Sequence, residues 1–279
     1  MKKILSLAIG LVIFFGTVSV NAENKEAEQY RKGLVKYFLD IFPDTKEEDF
    51  IHGVYAINAE SKEQYDELNE FPPYENELDK GEVLFNQKFA NGKSYADCFD
   101  NGGVGVRQNY PYYDSNKKEV VTLELAINRC REANGEKPFG WKKGPIAQVS
   151  AYMAFTSRGN PIAVQVQDDD ALDAFKRGME FYYTKRGYLN NSCATCHVQG
   201  AGSTVRVEVL HPALGEVSHT PIHRLKWQGL GTLHRRIEGC HRDQGAAPFK
   251  AQSTEYRELE YFMTYMSNGL QVNGPDFRK

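Results

Sequence analysis

Beyond residue 20 the sequence has no apolar run long enough to cross a bilayer, which leaves no candidate helical span in the body of the chain. Neither sign of charge dominates: 34 Lys and Arg stand against 37 Asp and Glu, a balance that argues against nucleic acid or an anionic membrane surface as partner. Cysteine is sparse and odd in number, five in 279 residues. The one apolar run, residues 4–20, follows Lys2 and Lys3 and ends at Val20-Asn21-Ala22. That is the layout of a secretory signal peptide over residues 1–22, with cleavage expected before Glu23. An uncleaved anchor is the rival reading, but Gly10, Gly16, Thr17 and Ser19 interrupt the run. The mature chain is expected to be exported and free of membrane spans, with enough length for one large domain or two of ordinary size. In an oxidising compartment an odd thiol needs a reason.

Two thiols are accounted for by Cys193-Ala194-Thr195-Cys196-His197. Cys-x-x-Cys-His is the attachment sequence of haem c. Its two sulfurs add to the vinyl groups along one porphyrin edge, and the next residue, His197, becomes the proximal iron ligand. A zinc site would need a second ligand cluster, and Cys98 and Cys130 form no Cys-x-x-Cys from which to build one. A thioredoxin-like dithiol has no use for the following His, and no βαβ pattern surrounds it. One covalent haem c, on Cys193, Cys196 and His197, is therefore expected.

The chain also repeats itself. Tyr95-Ala96-Asp97-Cys98-Phe99 aligns with the attachment motif but lacks its first thiol and its His. Further on, at an offset of 110 residues, Ile127, Cys130, Gly135, Pro138 and Phe139 match Ile237, Cys240, Gly245, Pro248 and Phe249. Each half reads as a helix, the motif or its remnant, a Gly/Pro-broken loop and a terminal helix; in the second half Tyr256, Leu259, Phe262, Met263 and Met266 fall at helical spacing. The expected fold is mostly α: two cytochrome c-like domains in tandem, residues 61–163 without haem and 164–279 with it, after an extension over 23–60. In that extension Ala27, Tyr30, Leu34, Tyr37, Phe38 and Phe42 lie on one helical stripe, which reads as core-facing. The repeat also brings Cys98 and Cys130 together where no porphyrin intervenes, so a disulfide between them is expected.

The sixth iron ligand decides the function. Met263, Met266 and Cys240 supply the candidate sulfurs. Met263 pairs with Met153 in the haem-less half, where packing alone explains it, whereas Met266 pairs with Thr156. Cys240 is the odd thiol, and on a helix Arg236, four residues earlier, shares its face and favours the thiolate. The same guanidinium suits an oxyanion beside the sulfur. His234, Arg235 and His241 are near in sequence, but roles on a solvated face suit them at least as well; for Trp227 core packing is the better reading.

Two stretches carry a family resemblance. They are Arg-Gly-Tyr-Leu-Asn-Asn-Ser-Cys-Ala-Thr-Cys-His-Val-Gln at 186–199 and His-Arg-Leu-Lys-Trp-Gln-x-Leu-Gly-Thr-Leu-His-Arg-Arg-Ile-x-Gly-Cys at 223–240. The chain resembles the A subunits of the Sox thiosulfate-oxidising cytochrome complexes, the L-cysteine S-thiosulfotransferases. The resemblance implies a periplasmic heterodimer with a small monohaem cytochrome X subunit. It implies a reaction joining thiosulfate oxidatively to a cysteine of a sulfur-carrier protein, with electrons passing to cytochrome c. It further implies that Cys240 is the distal iron ligand, often a persulfide, that Arg236 stands at the substrate entrance, and that Cys240 and Arg236 are the catalytic pair. Some members carry a second haem in the first domain; the missing motif there points to the single-haem type. The alternative is a periplasmic electron-transfer cytochrome with a Met axial ligand, which has no use for Cys240 or Arg236.

Overall fold

The computed structural model describes residues 24–278; the expected leader and its cleavage point lie outside the described residues. Among these, no helix is long and apolar enough to cross a membrane. The chain runs through α1 (Lys25–Ile41), α2 (Val54–Ile57), α3 (Ala59–Leu68), α4 (Glu75–Asn86), β1 (Tyr112–Asp114), β2 (Glu119–Val121), α5 (Leu123–Ala133) and α6 (Pro145–Phe155). It continues through α7 (Asp169–Tyr183), β3 (Thr204–Val205), β4 (Glu208–Val209), β5 (Ile222–Arg224), β6 (Gly229–Gly231), α8 (Leu233–Asp243), α9 (Thr254–Tyr265) and β7 (Asp276–Arg278). Helix dominates, as expected. The strands form two hairpins and a three-stranded sheet in the order β6-β5-β7, each too short to leave an alternating pattern in the sequence.

Local chemistry starts the helices. Asn24, Asp168 and Ser253 each turn a side-chain oxygen onto backbone N–H groups of the first turn of α1, α7 and α9, and Pro145 opens α6 where a missing N–H costs nothing. Helix α1 packs on the second half through Ala27, Leu34 and Phe38. Tyr30 and Tyr37 of the same stripe instead keep a large part of their surface in water, at 44% and 38% exposure, so the buried face is narrower than the sequence reading.

The duplication has a three-dimensional counterpart. In both halves the helix before the motif crosses the terminal helix at a glycine. A β-carbon on Gly81 of α4 would lie 2.1 Å from the Gln148 carbonyl oxygen of α6, and one on Gly178 of α7 would lie 2.1 Å from the Glu258 carbonyl oxygen of α9. Helices α5 and α8 likewise begin 110 residues apart, each after a short hairpin. The halves meet around a local two-fold axis. Pro161 pairs antiparallel with Gln271, its own repeat mate. Around that bridge Ile162 N–H donates to the Leu270 carbonyl (2.8 Å) and Val272 N–H to the Asn160 carbonyl (2.9 Å), while Gly159 donates to Val272 and Gly269 to Ile162, both at 3.0 Å.

Where the second half has its motif, the first is packed solid. Phe99, aligned with His197, is buried with Phe85, Tyr95, Leu123, Ile127 and Met153. Cys98 and Cys130 form the disulfide expected from the repeat, with Cα atoms 5.8 Å apart.

Between the halves lies a charged network. Buried Glu124 accepts from the Ser150 hydroxyl at 2.8 Å, and its carboxyl is pushed above the ordinary range by burial and then by the Glu260 charge, with Arg107 opposing. A carboxyl whose pKa is raised on folding holds its proton longer in the folded than in the unfolded chain. Stability is therefore greatest below the unfolded value, about 4.5, and is lost as pH rises toward the folded one. Glu124→Gln keeps an acceptor for Ser150 and removes the charge. Thermal melts of the two proteins should coincide near pH 4 and separate as pH rises to 7, with the variant about 1 kcal/mol, or a few degrees, more stable. A wild-type advantage at pH 7 would show that the ionised carboxylate is paid back by its neighbours.

Candidate haem and sulfur site

The attachment segment is fixed to the helix that faces it. Gly187, at φ +72°, packs so closely that a β-carbon there would lie 2.7 Å from the Gln244 carbonyl oxygen, and only a glycine adopts this conformation without strain. Tyr188 and Leu189 then donate backbone N–H bonds to Gly245 and Gln244, just past the end of α8. Ser192 and Thr195 cap one another, each backbone N–H donating to the other's hydroxyl at 3.1 Å. From there a π-helical turn, Thr195–Gln199, carries His197 inward to 9% exposure.

His197 is oriented from behind. Its Nδ1 donates to the His211 carbonyl at 3.0 Å, its own carbonyl accepts from Ala213 N–H at 2.7 Å, and its ring lies 4.1 Å from that of His211. With Nδ1 committed, Nε2 is the nitrogen left for a ligand. The Cys240 thiol is a hydrogen-bonding partner of the same ring. Burial alone would push this thiol up; the Arg236 guanidinium, followed by His197, brings it below the ordinary thiol range. Cys193 goes the other way: burial, then Glu216 and Cys240, holds its thiol well above that range. The free thiols are thus not equivalent: Cys193 is held above the ordinary thiol range and Cys240 below it.

These residues fit a haem c. Cys193 and Cys196 are unpaired, both lie within electrostatic reach of Cys240, and an imidazole with its second nitrogen tied back meets a thiol of thiolate character. That is a donor set for two vinyl carbons and two axial positions of one iron. Met263 and Met266 are buried in the core and line a small cavity with Leu34, Tyr182, Glu216 and Phe262.

Helix α8 is clamped so that Cys240 and Arg236 share a face. His234 accepts Gln252 N–H at Nδ1 (3.0 Å), which makes Nε2 the donor toward Glu260 and the Tyr256 carbonyl, both at 3.2 Å. His241 pairs with the Tyr256 hydroxyl at 2.7 Å. At 1% and 4% exposure, the two histidines are buried ties to α9, which corrects their reading as solvated-face residues. Arg235 lies over Trp227, 4.1 Å from the ring, so this tryptophan is half-buried under a cation instead of in the core.

Three residues of the site left no mark in the motif reading. Glu216, whose carboxyl burial pushes up, accepts from the Tyr182 hydroxyl at 2.8 Å, and a ligand atom of each of His197, His211 and Glu216 lies within 4.8 Å of the others. His211 is held neutral by burial and by the neighbouring His197.

Comparison with known proteins places the chain among cytochromes c. The SoxA/TsdA cytochrome c domain family matches residues 80–162 and again 177–272. The L-cysteine S-thiosulfotransferase subunit SoxA of Chlorobaculum tepidum is 54% identical over 248 residues, covering 89% of this chain and 86% of its own. The corresponding subunit of Allochromatium vinosum is 46% identical over 262 residues, with 93% and 92% covered. The crystal structure of SoxXA from P. pantotrophus superposes with a TM-score of 0.68 at 31% identity, over 74% of this chain and 79% of that one. The chain belongs to the SoxA/TsdA cytochrome c family.

Proposed function

We propose that this chain is the haem-bearing subunit of a periplasmic L-cysteine S-thiosulfotransferase, joining thiosulfate oxidatively to a cysteine of a sulfur-carrier protein. The observation that carries the reading is the half-buried Cys240 thiol beside the His197 ring, held below the ordinary thiol range by the Arg236 guanidinium. One haem c is attached through Cys193 and Cys196 in the second half, residues 164–279, while residues 61–163 form a haem-less counterpart closed by its disulfide. A small monohaem cytochrome X subunit completes the heterodimer, in keeping with the SoxXA neighbour. The leader over residues 1–22 exports the chain and is removed.

When bound, the haem supplies a one-electron acceptor connected onward to the partner's c-type haem, so that two electrons leave in succession. The remaining steps belong to this chain. Arg236 holds thiosulfate by its oxyanion end through charge-assisted hydrogen bonds. The Cys240 thiolate forms a sulfur–sulfur bond to the outer sulfur of thiosulfate, giving Cys240–S–S–SO3⁻ and releasing two electrons. A carrier thiolate then attacks the sulfur bonded to Cys240, yielding the carrier's S–S–SO3⁻ group and regenerating the Cys240 thiolate. His197 would hold the haem iron, its ring oriented by the His211 carbonyl.

The test is mass spectrometry of the carrier after incubation with the mature heterodimer, thiosulfate and oxidised cytochrome c. A mass gain of one thiosulfate per carrier cysteine is expected, and an unmodified carrier beside fully reduced cytochrome would reduce this protein to an electron carrier. In the same assay Arg236→Ala should lower thiosulfate turnover about 10- to 100-fold, the worth of one hydrogen-bonded charge, and leave the haem spectrum nearly unchanged. A large spectral change would make Arg236 structural.

A further inference from the structure

We propose that the first half of the chain aims the sulfur site: its loop at Trp141 and Lys142 fixes the start and the rotation of α8, the helix that carries Arg236 and Cys240, and Lys142 is the positioning residue. The proposal rests on the function argued above and names what holds the two residues on which that function depends.

The repeat exposes an exchange of contacts. Thr122 and Thr232 are repeat mates at the N-caps of α5 and α8, buried at 0% and 1% exposure. Thr122 caps its own helix, its hydroxyl accepting the Leu125 N–H at 3.1 Å, and donates to the Gln252 side-chain oxygen at 2.8 Å. Thr232 makes no side-chain cap. Its hydroxyl donates instead to the Trp141 carbonyl at 2.9 Å, and its N–H to the Lys142 carbonyl at 3.1 Å. Lys142 and Gln252 are themselves repeat mates, 110 residues apart, so each half reaches with the same loop to the other half's helix start. A capping hydroxyl stabilises the first turn of its own helix. In α8 that hydroxyl is used to anchor the helix to the first half.

A second contact sets the rotation. Lys142 Nζ lies 3.0 Å from a carboxylate oxygen of Glu238, whose side chain is only 4% exposed. Lys142 therefore meets α8 at two levels, its carbonyl at the cap and its ammonium more than one turn further on, and two attachments at different heights fix a helix's rotation as well as its start. Successive helical residues are about 100° apart, so Glu238, two residues from Arg236 and two from Cys240, lies on the far side of α8 from both. Holding Glu238 toward the first half turns Arg236 and Cys240 the other way, where Cys240 meets the His197 ring. Arg242 approaches the same Glu238 oxygen at 2.9 Å. Being on α8 itself, it neutralises the carboxylate without tying the helix to anything, so charge and position are separable by mutation.

The experiment uses the mature heterodimer with Lys142→Met, Lys142→Arg and Arg242→Met, read by thiosulfate coupling and by electron paramagnetic resonance of the oxidised protein. Lys142→Met should lower kcat about 10-fold or more and broaden the low-spin signal as the pose of Cys240 spreads, with a shift of only a few degrees in thermal midpoint, because Arg242 still pairs Glu238. Lys142→Arg, which keeps charge and reach, should restore kcat and signal, and Arg242→Met should leave both near the wild type. Unchanged kcat and signal in Lys142→Met would overturn the proposal. So would equal losses from Lys142→Met and Arg242→Met, since Glu238 would then need only a neutralising charge, or a fall in stability with a wild-type signal in the folded fraction. Absence of thiosulfate coupling in the wild type would instead refute the parent function. In that event amide hydrogen exchange along residues 232–240 still decides whether Lys142 holds α8: it should be faster in Lys142→Met than in Arg242→Met, and equal rates would overturn the proposal.

Discussion

Cys240→Ala should abolish thiosulfate coupling, with a fall of about 10³-fold or more in turnover, while the protein keeps its haem. The substitution removes the one thiol whose surroundings favour the charged form. Cys193 is held protonated by burial and is committed, like Cys196, to the expected thioether links. No other free cysteine is present to take over. Retention of haem is expected because attachment would depend on Cys193 and Cys196, and the His211 carbonyl still holds the His197 ring once its Cys240 partner is gone. Electron paramagnetic resonance of the oxidised protein supplies the second readout: a low-spin His/thiolate signal in the wild type, lost in the variant. Cys240→Met sharpens the test by restoring a sulfur ligand that cannot form the sulfur–sulfur bond. It should show a His/Met spectrum, normal electron transfer and no coupling. A wild-type spectrum indifferent to Cys240→Ala would move the distal ligand elsewhere and remove the basis for the coupling chemistry.

Much of this site is legible in the sequence because its chemistry is written in short-range spacing. The attachment motif sets two thiols and an imidazole within five residues, and Arg236 and Cys240 need only a helix to share a face, which α8 supplies. The disulfide is legible for a different reason: a repeat carries spatial information from one half to the other, and Cys98 and Cys130 inherit the proximity of Cys196 and Cys240. What the sequence conceals is contact between residues that have no repeat mate of the same kind. Glu216 and His211 lie on the loop after the motif, where the first half has nothing comparable. His234 and His241 were hidden by their polarity. On a helix crowded with arginines they look solvated, and only the Tyr256 and Glu260 partners of α9 make their burial affordable. The two-fold arrangement around Pro161 and Gln271 is likewise a property of backbone pairing, to which side-chain patterns are blind.

Gly178→Ala should be among the most damaging single methyl additions within the described residues. Its β-carbon would stand 2.1 Å from the Glu258 carbonyl oxygen, 2.7 Å from the carbonyl carbon and 2.9 Å from Cβ of Phe262. Two of these are backbone atoms inside α9, so no rotamer change makes room and the helices must separate by more than an ångström. That separation reaches the site directly. Phe175, Tyr182 and Phe262 pack across this crossing, Tyr182 donates to Glu216, and α9 holds α8 through His234 and His241. A cost of about 3 kcal/mol or more is expected, at the upper end for overpacking, because the obstruction is backbone. The measurements are the denaturation midpoint and the yield of haem-loaded protein after export, both of which should drop sharply. Gly81→Ala is the internal control, since its β-carbon meets the Gln148 carbonyl oxygen at the same 2.1 Å in the half without the attachment motif. It should destabilise comparably and yet leave the haem spectrum of the surviving folded fraction unchanged, whereas the spectrum of Gly178→Ala should broaden as the hold on α8 loosens. Equal spectral damage from both would mean that the two halves act as one cooperative unit through the buried Glu124 and Glu260 network, and a mild effect of Gly178→Ala would show that α7 and α9 slide apart more easily than their packing implies.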